Sequence, residues 1–312
     1  MSPAPVPCLI GPTGCGKSDV ALHLARSTRG EVIACDAFTV YRGMEILTAA
    51  PEAPPEVPHH LLGCLDPTRE RFSAASFAEA TDGLVEEIAA RGGTPWIVGG
   101  TALYLRGWLK GFGPPVDRDE AYRDELRALA AREGVQQLHA RLQGLDPARA
   151  AELHPNDTRR VVRALEIVRA TGRPASAFRE DWSGPDVRDA VVVRLRRDTA
   201  DLDDRIHRRT EAMFAAGVVA EARRLLDTEL LPEARKVLGL DVLAEVLAGA
   251  IDETEARATI ARKTRRFARK QRTFFDSFDP VLLVDVAQDE PAEAVAERVL
   301  ALLPDQLRGT SA

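Results

Sequence analysis

Apolar and polar positions along the chain first form a short apolar run, "PVPCLI", and then a helical pattern, "SDVALHLARSTRG", ending at Gly30. The run is too short for a helix and is bounded by turn residues, so it predicts a buried strand. The same pairing recurs downstream. "EVIACD" reads as a second strand, and "HHLLGCLD" as a weaker one before the helix "SAASFAEATDGLVEEIAARGG". "TPWIVGG" is another strand, running into the helix "TALYLRGWL". Strands alternating with crossover helices predict a parallel sheet covered on both faces.

The pattern changes at "GFGPPVDRD", a Gly/Pro-rich joint from Gly111 to Asp119. From there to about Glu180 only helices are predicted: "EAYRDELRALAAREG", "VQQLHARLQG", "DPARAAELH" and "DTRRVVRALEIVRATG". In the last of these, Val161, Leu165 and Val168 share one face, and Gly172 falls where a C-terminal cap belongs. "DAVVVRLRRD" restores a strand, and "PVLLVDV" supplies the last one before the closing helix "PAEAVAERVLALL". The predicted fold is α/β, with a P-loop NTPase-like parallel sheet core from residues 1–112 and 189–312. An all-helical insertion domain, residues 113–188, interrupts it.

Composition narrows this picture. Aromatic residues make up only 5% of the 312, so the core must be built mainly from Ala, Val, Leu and Ile. A net charge of −6 means that any polyanion site is a local cluster. Cys8, Cys15, Cys35 and Cys64 match no zinc spacing and read as buried free thiols of a reducing compartment. The start, "MSPAPVPCLIG", has no basic region leading into an apolar run, and no stretch approaches the roughly 20 apolar residues that span a bilayer. A cytoplasmic protein with no membrane partner is expected.

The candidate chemistry starts in "GPTGCGKS", where Gly11, Pro12, Thr13, Gly14, Cys15, Gly16, Lys17 and Ser18 follow a strand and open a helix. Glycines there let backbone N–H groups converge on an anion, and the helix adds its positive end. Lys17 supplies a point charge, and Ser18 a hydroxyl suited to Mg²⁺. A P-loop kinase usually adds an apolar strand tipped by a metal-holding acid. "WIVGG" instead ends in glycines and Thr101. The acid-tipped strand is "VIACD", whose Asp36 should lie at the carboxyl edge of the sheet beside the phosphate loop. Asp36 is positioned to help hold metal, to take a proton, or simply to cap a turn.

A second cluster is "IARKTRRFARKQRTFF", with Arg265, Arg266 and Arg269 among its cations and no acid. Ile260, Thr264, Phe267, Gln271 and Phe274 recur at helical spacing, so this face should pack while the cations meet either RNA or solvent. Arg159, Arg160 and Arg163 form a smaller cationic set on the insertion, where a solvated face is an equal alternative.

Taken together, these segments resemble the tRNA dimethylallyltransferase (tRNA isopentenyltransferase) family from about Val6 to Phe278. The matching segments, in the family's order, are "GPTGCGKS", "ACDAFTVYRGMEI", "VPHHLLGCLDP", "FSAASF", "VGGTALYL", "HPNDTRRVVRALEI" with "TGRPAS", "LDDRIHRRTEAMFAAG" and "TRRFARKQRTFF". The resemblance implies transfer of a five-carbon prenyl group from dimethylallyl diphosphate to N6 of an adenosine beside the tRNA anticodon. The loop would then hold a leaving diphosphate. Asp36 matches the family's base, Thr13 and Thr101 its substrate-contacting threonines, and Arg205 its diphosphate-binding arginine. The resemblance also implies tRNA contacts at Asp36, Ala37, Phe38, Thr39, Thr101, Arg123, Arg159, Arg160 and Arg163, with Mg²⁺ as cofactor and the anticodon stem-loop as the partner region. A monomer is expected.

The chain departs from the family's usual pattern in places. A Ser and a Gln after the aspartate are Ala37 and Thr39 here, and "GTAKP" is "LTAAP", Leu47 to Pro51. A terminal Trp and Arg are Phe274 and Asp276. Three alternatives stay open: a P-loop kinase of a small metabolite, a prenyltransferase of free adenine nucleotides, and a non-enzymatic RNA-binding module.

Overall fold

The computed structural model describes residues 4–111, 119–178 and 185–308. In chain order it starts with β1 (Val6–Ile10), α1 (Lys17–Thr28), β2 (Gly30–Cys35), the short α2 (Glu45–Thr48) and β3 (His59–His60). Next come α3 (Ala74–Ala90), β4 (Thr94–Gly99) and α4 (Ala102–Lys110). Helices α5 (Glu120–Glu133), α6 (Val135–Leu145), α7 (Pro147–Glu152) and α8 (Thr158–Thr171) follow. The chain then forms β5 (Ala190–Arg197), α9 (Thr199–Ala215), α10 (Val218–Leu226) and α11 (Leu240–Leu247). It closes with α12 (Glu253–Phe275), β6 (Leu282–Val286) and α13 (Ala292–Leu302).

The six strands form one sheet in the order β3-β2-β4-β1-β5-β6, and every pairing is parallel. This is the α/β core that the alternating pattern predicts. Strand β1 is central, and Cys8, Leu9 and Ile10 are fully buried, as expected for a strand covered on both faces. The core is aliphatic apart from a few large side chains such as Trp96, which packs with Leu9, Leu24, Val193 and Val295.

Two elements differ from the sequence pattern. Helix α1 ends at Thr28, with Arg29 in the left-handed conformation at φ 49°, and Gly30 already belongs to β2. Gly30 is needed for close approach: a Cβ there would lie 2.7 Å from the Trp96 ring and 2.9 Å from the Thr94 carbonyl. The Trp96 indole donates to Thr28 Oγ1 at 2.9 Å, tying the helix end to β4. "HHLLGCLD" pairs with β2 only through His59 and His60, because Leu61 and Gly63 adopt φ 57° and 56° and turn the chain off the sheet.

The chain divides into two compact units, Met1–Leu109 with Arg188–Ala312, and Lys110–Val187. Of the joint beginning at Gly111, residues 112–118 lie outside the described residues, as do 179–184 with the predicted helical end at Glu180. The described part of the second unit contains no strand. Its core joins Tyr122, Leu126, Leu138, Leu142, Val161 and Leu165. Gly172 caps α8 with φ 66°.

None of the four cysteines forms a disulfide among the described residues; Cys8, Cys15 and Cys35 are buried as expected, whereas Cys64 is exposed. Among the described residues, no helix is long and apolar enough to cross a membrane.

Candidate active site

The loop between β1 and α1 combines two kinds of glycine. Gly14 and Gly16 have φ 82° and 93°, a region other residues rarely adopt, and Gly16 caps the N-terminus of α1. Gly11 is required by crowding, since a Cβ would lie 2.7 Å from Cys15 Sγ and 2.9 Å from the Leu195 carbonyl. Lys17 folds back over the loop, donating to the Pro12 carbonyl at 2.9 Å. The exposed Ser18 sits in the first turn of α1. Thr13 is fixed twice: its N–H donates to Gln271 Oε1 at 2.8 Å, and its hydroxyl accepts from Arg209 Nη1 at 2.9 Å.

Helix α9 brings two arginines to this loop. Arg205 donates from Nε to the Gly14 carbonyl at 2.8 Å. One turn later, Arg209 spans from Thr13 to the Thr48 carbonyl, 2.8 Å from Nη2. Neither has a carboxylate within ion-pair distance among the described residues. Burial pushes the Arg209 guanidinium pKa down, opposed by the Asp36 carboxylate nearby. Arg197, at the end of β5, differs: it forms an ion pair with Asp201 while also donating to the Cys15 carbonyl at 3.4 Å. The sequence reading missed Arg209, although its i+4 spacing from Arg205 puts both on one helix face.

Asp36 follows β2 at the carboxyl edge, but β4 lies between β2 and β1. It therefore stands one strand further from the loop than its adjacency in sequence pattern suggested. The intervening tip closes the gap because it carries no side chain. A Cβ on Gly99 would lie 2.1 Å from the Cys35 carbonyl oxygen, and one on Gly100 would lie 2.5 Å from Gln271 Nε2. Gln271 itself donates to the Gly100 carbonyl at 2.9 Å, so one buried amide ties the phosphate loop to the β4 tip. Thr101 then reaches the Asp36 turn: its hydroxyl accepts from Ala37 N–H at 3.2 Å, and its own N–H donates to the Cys35 carbonyl.

The Asp36 carboxylate is divided in its duties. Oδ1 accepts from the N–H groups of Phe38 (2.9 Å) and Thr39 (3.2 Å), which is the turn-capping role. Oδ2 has no hydrogen-bond partner among the described residues. The carboxylate is thus held in orientation with one oxygen open. Thr39 Oγ1 is buried nearby without a partner. No group of three His, Cys, Asp or Glu side chains suited to a metal occurs among the described residues.

The positions that depart from the family pattern are accommodated locally. Leu47 is buried, and its side chain comes within 3.4 Å of the Cβ position that Gly239 leaves open. The N–H groups of Ile46 and Leu47 donate to the buried Glu221 carboxylate at 3.0 and 2.7 Å, anchoring the short helix that presents Thr48 to Arg209. Burial pushes the Glu221 pKa up. Asp276 pairs at 2.8 Å with Arg194, a guanidinium buried within β5. Phe274 lies under Arg106, 4.9 Å from the ring centroid.

The basic helix α12 packs through Ala256, Ile260, Ala261, Ala268, Gln271 and Phe275. The packing face is therefore displaced from the predicted one, with small alanines seated where Phe267 and Phe274 were expected to bury. Phe267 is 39% exposed. Among the described residues, Arg265, Arg266, Arg269 and Lys270 have no ion-pair partner, while Lys263 is paired with Asp241.

In the second unit, Arg159 and Arg160 are exposed on α8, Arg160 lying 3.6 Å from Asp157, and Arg163 is 3.7 Å from Glu166. Arg123 has a different setting. Its guanidinium grips the buried Glu166 carboxylate through Nε and Nη2, which commits it to joining α5 to α8.

The family model for IPP transferase matches residues 39–278. A tRNA dimethylallyltransferase of Symbiobacterium thermophilum is 39% identical, over 97% of this chain and 96% of its own. One from Halorhodospira halophila is 41% identical over 87% and 89%. The crystal structure of the tRNA isopentenylpyrophosphate transferase of Bacillus halodurans aligns with TM-score 0.68 and 35% identity, covering 95% of this chain and 94% of the other. A eukaryotic dimethylallyltransferase studied acting on tRNA aligns with TM-score 0.79 and 25% identity, covering 96% and 78%.

Proposed function

The chain belongs to the IPP transferase family, and from that premise we propose how this site transfers a dimethylallyl group to an adenosine of tRNA. The donor is dimethylallyl diphosphate and the acceptor is N6 of the adenosine beside the anticodon. The bond between the allylic carbon and the diphosphate oxygen breaks as the carbon–N6 bond forms. The N6 proton passes to Asp36 Oδ2, the open oxygen of a carboxylate whose other oxygen is anchored. That half-anchored carboxylate, beside a side-chain-free strand tip, is the observation that carries the reading.

N6 of adenine is a weak nucleophile, so stabilising the departing diphosphate dominates the barrier. The backbone of Gly11 to Ser18 and the start of α1 favour an anion there. Lys17, Arg205 and Arg209 hold carbonyl or hydroxyl oxygens and keep their full charge for the leaving group. Thr13 and Thr101 shape the walls on either side. The donor set fits Mg²⁺. Ser18 offers one exposed hydroxyl, and diphosphate oxygens and water would complete an oxygen shell that needs no carboxylate cage. When bound, Mg²⁺ would neutralise charge on the diphosphate.

The acceptor base must leave its stack to reach Asp36. Arg265, Arg266 and Arg269 on α12, and separately Arg159, Arg160 and Arg163 on α8, offer cations for the anticodon stem-loop backbone. A single chain supplies each of these groups, so the working unit is a monomer, acting in the cytoplasm where tRNA is processed. The test is incubation with dimethylallyl diphosphate, Mg²⁺ and unmodified tRNA, followed by mass analysis of the nucleosides. A dimethylallyl-adenosine is expected. Phosphoryl transfer from ATP, with no modified nucleoside, would install the kinase reading instead.

A further inference from the structure

Phe267 is the only aromatic among the large apolar side chains that are exposed in the described residues, at 39%. It lies within α12, the helix whose Gln271 holds both the phosphate loop and the β4 tip. The i to i+4 spacing puts Phe267 one turn from Gln271 along the same side of the helix. Around it, Arg266, Arg269 and Lys270 have no ion-pair partner among the described residues. The helix buries Ala268 at that level and leaves much of this phenyl ring open.

An exposed aromatic ring amid unneutralised guanidinium groups is the arrangement that single-stranded nucleic acid recognises: bases stack on the ring while the flanking phosphates meet the cations. A duplex offers the same phosphates but keeps its base faces covered. We propose that Phe267 is a stacking platform for an unpaired base of the RNA loop that carries the acceptor adenosine. It would act as a substrate-binding residue at the rim of the site, separate from the groups that meet diphosphate. This rests on the tRNA reading above and deepens it by assigning a residue to loop recognition.

The full chain is titrated with an RNA hairpin bearing an anticodon-like single-stranded loop, and with a fully paired duplex of equal length, across a series of salt concentrations. Phe267→Ala should weaken hairpin binding by roughly five- to a hundred-fold, the range for loss of one base–aromatic stack. The salt slope should not change, since no phosphate contact is removed, and duplex binding should stay at the parent level. Arg266→Ala, by contrast, should lower the salt slope for both RNAs. Phe267→Trp should retain hairpin affinity and show quenching of the added indole on binding, relative to the parent spectrum. Parent-like hairpin binding by Phe267→Ala, or an equal loss on hairpin and duplex, would overturn the stacking role. Failure of the parent chain to bind either RNA would instead remove the tRNA reading on which the proposal rests. Thermal unfolding of each variant separates a binding loss from misfolding.

Discussion

Two arginines at the carboxyl end of the sheet and one at its amino end are used in opposite ways. At the carboxyl end, Arg205 and Arg209 hold carbonyl and hydroxyl oxygens and no carboxylate among the described residues. At the amino end, Arg91 grips both oxygens of Glu31 at 2.6 Å, and His60 meets the same carboxylate at 2.6 Å. A guanidinium paired with a buried carboxylate has spent its charge on the fold. One bound to carbonyls is oriented by the fold yet still needs an anion. Arg123 in the helical unit belongs with Arg91 in this respect, gripping Glu166, whose side chain is 1% exposed.

The sharpest way to break this comparison is at Asp36, the half-anchored acid on the open end. Asp36→Asn keeps the turn-capping oxygen but loses the basic one. Turnover should fall by ~10²–10⁴, the range for a positioned acid–base group, while diphosphate and tRNA affinities stay within a few-fold. Near-normal turnover at saturating substrates would take the base role from Asp36.

Among the closed pairs, Arg123→Met strands the buried Glu166. Breaking a buried pair costs about 3–5 kcal/mol, and Arg163 at 3.7 Å keeps the loss near the lower end. Denaturant unfolding should show it, and adding Glu166→Leu should recover most of it. If instead the single variant is as stable as the parent but loses RNA affinity, Arg123 is a contact residue.

Glu31 gives a pH signature at the amino end. The Arg91 hydrogen bonds outweigh burial and, with His60, lower its pKa from 4.5 to about 2. A carboxylate more acidic in the folded state stabilises it above pH 4.5, and that stabilisation fades as pH falls towards 2. The full difference is worth about 3 kcal/mol at ~1.36 kcal/mol per pKa unit. Stability measured in urea at pH 6 and at pH 3 should therefore differ less in Glu31→Gln than in the parent. An unchanged pH dependence would show the pair to be ornamental to folding.

The smallest expected effect sharpens the open end. Arg205→Met would remove the charged hydrogen bond proposed for the leaving diphosphate, so affinity and rate should fall together by about ten- to a hundred-fold. Lys17→Ala should behave alike. A loss confined to stability would place Arg205 with Arg91 and Arg123.

Much of this contrast was legible in sequence. The short runs "PVPCLI", "VIACD" and "WIVGG" pointed to three neighbouring strands, because apolar runs so short and bounded by turn residues suit a buried strand better than a helix. The phosphate loop was legible because its glycines are required where they stand. Strand order was not legible, since no local pattern reveals that β4 inserts between β1 and β2. The Arg123 pairing was not legible for a related reason: its partner Glu166 lies a whole helix hairpin away in sequence. The packing side of α12 was displaced because alanines, weak in any hydrophobic pattern, can sit closest to a neighbour when the approach is tight. Arg209 needed only the i+4 rule applied to Arg205.

The bare tip of β4 also bears on how such a site can evolve. Glycine becomes aspartate by one nucleotide change, which is the cheapest route to a metal-holding acid of the kind that nucleotide kinases use. At Gly99 that route is sterically closed, with the Cys35 carbonyl 2.1 Å from the new Cβ, and at Gly100 the Gln271 amide stands 2.5 Å away. Drift towards phosphoryl transfer would first require β2 and β4 to move apart at Gly99, or Gln271 to release the Gly100 carbonyl.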